Sequence, residues 1–150
     1  MKKYLMTLLM LQLVSPLLAE KQVKCPIFVD DEIDEEEVVE YKGKKVYMCC
    51  GTCVKEWNKN PDYYAKVAQS MKIAPQLANF DLKNIKLMPQ RFCPLRNDRV
   101  VHPDSPSITF KGKKIYFFKE SDIKRRWNSD PEEAFAKARK AGLLPQFDQK

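Results

Sequence analysis

The stretch YKGKKVYMCCGTCVKEW, residues 41–57, decides how this chain folds. Its first part alternates apolar and polar residues on either side of Lys42-Gly43-Lys44, which predicts a β-hairpin turn. Its second part is helical in character from Gly51 onward, with apolar side chains spaced for one face. Three cysteines fall within five positions at the junction. The sequence therefore predicts a cluster of sulfur atoms where a strand gives way to a helix.

The neighbouring residues extend this unit in both directions. Residues 38–41 and 45–48 are predicted as the two strands of the hairpin, and a second helix is predicted over residues 62–71, after Asn60-Pro61. Upstream, Cys25-Pro26 favours a tight turn that would direct a sulfur inward. The acidic run 30–37 between them is predicted to be a solvated loop. Strands and helices of this length in one small unit indicate an α+β fold.

The same pattern occurs a second time in the chain. The register is constant apart from small insertions, which indicates an internal duplication of a unit of about fifty residues. We predict one module over residues 25–76, a linker over 77–92 and a second module over 93–146. The matching segments are Cys25-Pro26-Ile27 with Cys93-Pro94-Leu95, 41–47 with 110–116, Trp57-Asn58 with Trp127-Asn128, Asn60-Pro61 with Asp130-Pro131, and Pro75-Gln76 with Pro145-Gln146.

The second module differs from the first where the cysteines stand. Phe118 and Lys119 occupy the positions of Cys49 and Cys50, and either Asp122 or Ile123 occupies that of Cys53. We therefore expect hydrophobic packing to hold the second module together and the functional site to lie in the first. Cys93 is interpreted as a remnant of the duplication, with a disulfide to Cys50 or to another molecule as the alternatives. The side chains expected to replace the sulfurs are Phe117, Phe118, Ile123, Trp127 and Phe135.

The first nineteen residues are typical of a signal peptide. Lys2 and Lys3 precede an apolar run over residues 4–14, and Pro16 lies before a plausible cleavage site after Ala19. We predict an exported protein, periplasmic or extracellular, that does not associate with a membrane once the leader is removed. Thiols tend to oxidise outside the cytosol, and the five cysteines are an odd number, so each needs a metal, a disulfide or a reducing partner.

Composition excludes several classes of function. The formal net charge of +7 falls by two without the leader lysines, and the acidic run breaks up any single basic face. Nucleic-acid binding is therefore not expected. The sequence contains a single histidine, His102, which precedes a proline and is expected on the surface. Without a glycine-rich phosphate loop or a convincing set of nucleophile, base and orienting group, the sequence predicts a protein that is not an enzyme.

Cys25, Cys49 and Cys53 are the candidate metal ligands. Cys49 and Cys53 are four residues apart, so a helix beginning between them can bring both sulfurs to one point. Cys25 would reach the same point from the opposite turn. Three thiolates suit Zn(II), Cu(I) or a heavier thiophilic ion. Cys50 is a possible fourth ligand, although adjacent residues at the end of a strand tend to point in opposite directions.

These cysteines, with the hairpin before them and Asn60-Pro61-Asp62-Tyr63-Tyr64 after them, resemble the TRASH/YHS family of small metal-binding domains. The resemblance covers residues 25–68, and residues 93–138 resemble a degenerate copy. It implies a treble-clef-like arrangement of knuckle, hairpin and helix, with Cys25, Cys49 and Cys53 as ligands. It further implies a role in trafficking, resistance or sensing of heavy metals. Separately from the resemblance, we predict the metal ion as a ligand and a protein partner for metal transfer as a possible second one.

Two other functions remain open from the residues alone. Cys50-Gly51-Thr52-Cys53 has the Cys-x-x-Cys spacing of thiol-disulfide redox proteins. The cysteines could also serve only to staple a small unit, through zinc or disulfides. The favoured hypothesis is an exported protein that binds Zn(II) or Cu(I) and acts in metal trafficking, buffering or resistance.

Overall fold

A computed structural model describes residues 21–148 of the chain, and the predicted leader, 1–19, lies outside the described residues. The α+β class is confirmed, with four helices and three two-stranded antiparallel sheets in this part of the chain. The treble-clef detail and the module boundaries stay predictions. The strands are β1 (Asp34–Tyr41), β2 (Lys44–Met48), β3 (Phe92–Cys93), β4 (Arg96–Val100), β5 (Ser107–Phe110) and β6 (Lys113–Tyr116), and the helices are α1 (Gly51–Trp57), α2 (Pro61–Ser70), α3 (Glu120–Arg125) and α4 (Pro131–Lys140).

The predicted hairpin forms from β1 and β2. Lys42 and Gly43 both have positive φ, 48° and 79°, the combination that a two-residue turn of this hand requires. The interpretation of residues 30–37 as a loop is wrong for its second half, because β1 already begins at Asp34. An irregularity in the strand pairing separates Asp34 from Val38, and the acidic side chains of this interval are exposed except for that of Glu37, which is half-buried. Their charge is therefore compatible with strand pairing.

Two short helices follow the hairpin. Helix α1 ends at Trp57, and α2 begins at Pro61, one residue before the predicted start, with proline in the first turn, where its missing N–H costs nothing. The ring of Trp57 is buried and meets the ring of Tyr41 edge-on at 5.7 Å between centroids. This contact packs the start of the hairpin turn against the end of α1.

The second half repeats this order of elements. Strands β5 and β6 turn through Lys111 and Gly112, whose φ values of 46° and 78° nearly equal those of the first turn. Trp127 meets Phe110 edge-on at 5.4 Å, as Trp57 meets Tyr41 in the first half. The aromatic and branched residues predicted to replace the sulfurs are all buried: Phe117, Phe118, Ile123, Trp127 and Phe135.

A pair of glutamines ties each hairpin to the end of its own half. In the first half, the buried Gln22 donates to the carbonyl of Tyr47 at 2.7 Å and accepts from its amide at 3.1 Å. Gln76 in turn donates to the side chain of Gln22 at 2.6 Å and to the carbonyl of Lys45 at 2.9 Å. The four bonds form what we call the glutamine clasp.

The glutamine clasp recurs in the second half with the corresponding four hydrogen bonds. Gln90 donates to the carbonyl of Tyr116 at 2.7 Å and accepts from its amide at 3.0 Å. Gln146 donates to Gln90 at 3.1 Å and to the carbonyl of Lys114 at 3.0 Å. The sequence repeat of Pro75-Gln76 and Pro145-Gln146 contains one glutamine of each clasp. Gln22 and Gln90 precede the predicted module starts.

The two halves share one hydrophobic core and meet along β4. The amide of Val29 donates to the carbonyl of Asp98, and the amide of Val100 to that of Ile27, both at 3.0 Å. The ring of Phe28 lies between Phe118, at 5.1 Å, and the guanidinium of Arg99, at 3.4 Å. Strand β4 of the second half thus braces the turn that carries Cys25.

None of the helices in residues 21–148 has the length and apolar character needed to cross a membrane.

Candidate metal centre

The structure brings together the three predicted sulfur ligands of the first half. The Sγ atoms of Cys25, Cys49 and Cys53 all lie within 4.8 Å of one another. Cys25 and Cys53 are completely buried, and Cys49 is partly exposed. Two parts of the chain separated by more than twenty residues therefore meet at one sulfur cluster, which can hold a metal ion.

Backbone hydrogen bonds fix where each sulfur stands. The amide of Cys25 donates to the carbonyl of Asp31 at 3.0 Å, which closes the turn, and the amide of Phe28 donates to the Cys25 sulfur at 3.4 Å. Cys49 directly follows β2. Cys53 lies in the first turn of α1, where its amide donates to the carbonyl of Cys50 at 2.9 Å.

The separation of the sulfurs is suitable for a bound ion, and no disulfide links them in this structure. The Sγ atoms of Cys49 and Cys53 are 3.5 Å apart, whereas a disulfide needs about 2.05 Å. Four thiolates at about 2.3 Å from a tetrahedral ion would be about 3.8 Å apart, which is close to the observed value. All five cysteines are free. The donor set therefore fits a thiophilic cation.

Cys50 adds a fourth sulfur at the edge of the cluster. Its Sγ atom lies 3.8 Å from that of Cys49 and 3.7 Å from that of Cys53. The expectation that Cys49 and Cys50 point in opposite directions is wrong, because β2 ends at Met48 and the chain already turns into α1 at Cys50. Within the described residues, the group of mutually close sulfurs contains Cys25, Cys49 and Cys53 but not Cys50.

Charge in the cluster concentrates on one buried sulfur. The pKa of Cys25 is lowered to about 6, first because its thiolate accepts a hydrogen bond from the Cys53 thiol and further because backbone amides, including that of Phe28, donate to it. The pKa of Cys53 is raised because its thiol donates that hydrogen bond, and burial raises the pKa of Cys49. Cys25 is thus the sulfur of the three that is most readily present as a thiolate, whereas Cys49 and Cys53 must lose protons to bind a cation.

A carboxylate from the first half and a guanidinium from the second lie beside this cluster. Asp31 Oδ2 is 3.9 Å from the Cys49 sulfur, and Arg99 Nη1 is 3.3 Å from the same oxygen. Arg99 also contacts Asp98 at 2.9 Å. Sequence reasoning missed both residues. Asp31 was assigned only to the acidic run, and nothing in the sequence relates Arg99 to a site in the other half.

The corresponding corner of the second half contains an ion pair. Asp122 takes the place of Cys53, since each lies three residues after the residue that precedes its helix. Its buried carboxylate contacts Arg96 Nε at 3.3 Å, and Arg96 takes the sequence position of Phe28. Cys93 is buried beside this pair, and burial raises the pKa of its thiol. The corner that holds the sulfur cluster in the first half therefore holds an Arg96–Asp122 ion pair in the second.

His102 is buried, so its predicted surface position is wrong. It lies where the two halves meet, with its ring 5.5 Å from that of Tyr64 and its Nε2 atom 4.0 Å from Glu56 Oε2. Its amide donates to Ser105 Oγ at 2.9 Å. Burial lowers the pKa of His102. The proline after His102 predicted an exposed loop. The prediction failed because the first half covers this segment, and nothing in the sequence indicates that contact.

Comparison of the chain with protein-family models, with curated proteins and with solved structures finds no match. The TRASH/YHS resemblance therefore stays a prediction, and the geometry of the sulfur cluster carries the functional argument.

Proposed function

We propose that this protein binds a thiophilic metal ion through Cys25, Cys49 and Cys53 and acts in metal trafficking, buffering or resistance. The observation that carries the proposal is the meeting of three sulfurs from two distant segments within 4.8 Å. Zn(II) and Cu(I) are the ions whose ligand preferences fit three thiolates best. The resemblance to TRASH/YHS domains supports the same function, and the predicted leader supports export to the periplasm or the cell exterior.

The metal is cargo in this proposal and not a staple for the fold. The second half builds the same hairpin, turn and glutamine clasp with one cysteine, so these elements do not depend on a sulfur-bound ion. The turn that presents Cys25 is also braced from outside by β4. Partial exposure of Cys49 gives a donor or acceptor protein access to the bound ion.

Thiol-disulfide chemistry has weaker support. The Cys50 and Cys53 sulfurs are 3.7 Å apart, but Cys49 is about as close to each of them. A dedicated redox pair needs one defined partner for its nucleophile. The crowding of four sulfurs favours sharing an ion over forming one particular disulfide, and we propose a role that is not enzymatic.

Metal analysis combined with thiol counting tests the proposal. Protein purified without reductant or added metal is expected to contain about one Zn(II) or Cu ion per chain with its cysteines reduced. Cys53→Ser should abolish this binding. The matched control, Cys93→Ser, removes the buried cysteine of the second half and should leave the stoichiometry unchanged. A wild-type protein without metal that fails to take up either ion when reduced would refute the proposal.

A further inference from the structure

The four clustered sulfurs form two triangles that share an edge. Cys49 and Cys53, 3.5 Å apart, are common to both. The inner triangle is completed by Cys25, which is completely buried. The outer triangle is completed by Cys50, which is partly exposed and lies 3.8 Å and 3.7 Å from the two shared sulfurs.

The outer triangle is itself a suitable site for a soft cation. Its three sides lie between 3.5 Å and 3.8 Å, whereas three thiolates at about 2.3 Å around one ion in a plane would be about 4.0 Å apart. Small side-chain adjustments suffice to reach that spacing. The outer triangle is the more accessible of the two, because Cys50 is partly exposed and Cys25 is buried.

We propose that Cys49, Cys50 and Cys53 form an outer loading site, from which the ion passes to the inner triad by exchanging Cys50 for Cys25. This inference rests on the proposed function and specifies how metal enters and leaves the site. Cys50 is thus a transfer ligand and not a permanent fourth ligand of a closed tetrahedron. In the second half, Lys119 stands at the position of Cys50, so the transfer ligand is confined to the half that has the triad.

The exchange conserves ligands and electrons. On loading, the sulfurs of Cys49, Cys50 and Cys53 replace the ligands of the molecule that delivers the ion. Each bond that forms to a sulfur accompanies the breaking of one bond to that molecule. The ion then forms a bond to Cys25 and loses its bond to Cys50, so three sulfurs hold it before and after the step. Each thiol that binds releases its proton to water, Cys50 takes one back on leaving, and the oxidation state of the metal does not change.

The local structure permits this exchange without backbone movement. The carbonyl of Cys50 accepts hydrogen bonds from the amides of Cys53 and Val54 at 2.9 Å and 3.3 Å, so the main chain at this residue is held in place. Its side chain makes no hydrogen bond to cap the helix. Rotation about χ1 of one partly exposed side chain can therefore move the sulfur toward or away from the shared edge.

Transfer of Cd(II) from the loaded protein to a chelator tests the inference. Cd(II) is a suitable probe because thiolate-to-cadmium absorption reports the number of sulfurs bound. Wild-type protein, Cys50→Ser and the control Cys93→Ser are each loaded with one equivalent, and the rate of loss to excess EDTA is recorded. We expect Cys50→Ser to keep one ion and the wild-type thiolate absorption but to release it about tenfold or more slowly, the scale on which outer-shell groups tune metal sites. Cys93→Ser should match the wild type.

The possible results separate the two proposals. If the wild type binds no Cd(II), the proposed function fails and the loading site fails with it. If the wild type binds but Cys50→Ser releases at an unchanged rate, only the loading site is wrong. A drop in thiolate absorption or in stoichiometry for Cys50→Ser would make Cys50 a permanent ligand, which likewise overturns the inference.

Discussion

The two halves of this protein share a framework and differ at one corner. Both have a hairpin with the same positive-φ turn, an aromatic side chain packed edge-on against a tryptophan, and a glutamine clasp. At the corner, the first half presents four sulfurs, whereas the second presents Cys93, the ring of Phe118 and an ion pair. The framework therefore does not require the cysteines. The corner is the part of the unit that differs between the two halves.

The ion pair explains how the second half closes its corner. A buried carboxylate needs a cationic partner, and the Arg96 guanidinium supplies one at 3.3 Å from Asp122. In the first half, the corresponding groups are cysteines, which would bind the proposed cation as thiolates. The positive charge at the second corner is therefore covalently attached, whereas at the first corner the proposed metal ion would supply it.

The largest expected effect is the creation of a second metal site. Arg96→Phe, Phe118→Cys and Asp122→Cys, introduced together, place the side chains of the first corner in the second, alongside Cys93. We expect metal binding to rise from about one equivalent to about two, measured by metal analysis after loading with Cd(II). The control carries Arg96→Phe, Phe118→Ser and Asp122→Ser. A folded triple-cysteine variant that binds no additional metal would show that the two corners are not equivalent.

The second-largest effect is expected on stability, when the Arg96 guanidinium is removed from the corner of the second half. Arg96→Met leaves the carboxylate of Asp122 buried without its partner, and we expect the free energy of unfolding in urea to fall by about 2–3 kcal/mol, because Arg96 itself is partly exposed. Adding Asp122→Leu should restore most of the loss, since an apolar pair of similar volume tolerates burial. If the single and double variants are equally destabilised, the ion pair does not act as a unit.

A smaller effect is expected from the glutamine clasps. Gln76→Ala and Gln146→Ala each remove two hydrogen bonds, and each should lower the free energy of unfolding by about 1–2 kcal/mol. The two losses should add within about 0.5 kcal/mol in the double variant, because the clasps have no residue in common. Urea denaturation measures all three variants. Markedly unequal losses would mean that the clasps are not equivalent devices.

The smallest effect concerns His102, which lies between the halves. Burial lowers its pKa from its usual value near 6.5, so below that pH the unfolded chain takes up a proton that the folded protein does not. Stability from this group is complete above pH 6.5 and declines as the pH falls, by at most about 1.4 kcal/mol per pH unit.

Urea denaturation of metal-free protein between pH 7 and pH 5 measures this dependence. The free energy of unfolding of His102→Gln should decline less steeply with falling pH than that of the wild type. Because both proteins contain the same cysteines, the difference between them reports the histidine alone. Parallel curves would show that His102 does not contribute.

The sequence predicts a large part of this fold, because its signals are local. Lys42-Gly43 predicts a turn, and the spacing of apolar residues predicts α1. Because the sequence repeats, the same two predictions hold for the second half. The meeting of Cys25 with Cys49 and Cys53 was also predicted, from the turn at Cys25-Pro26 and from the four-residue spacing of the other two cysteines, and the structure brings the three sulfurs together. These features depend on residue types and on short spacings along the chain.

The remaining features depend on contacts between distant segments. Arg99 stacks on Phe28 and reaches Asp31, yet the three residues belong to different halves and form no motif. His102 is buried for the same reason, because the surface that covers it comes from the first half. The close approach of Cys50 to Cys49 was not predicted, because strand alternation was assumed to continue through Cys50, two residues past the end of β2 at Met48.

X-ray absorption spectroscopy at the metal edge tests the central claim most directly. For the reduced protein loaded with one equivalent of Zn(II) or Cu(I), we predict a first shell with three sulfur neighbours from the protein at about 2.3 Å, the same three in Cys50→Ser, and two in the double variant Cys25→Ser/Cys50→Ser. A first shell made of nitrogen and oxygen, or a sulfur count that the double variant leaves unchanged, would contradict the central claim.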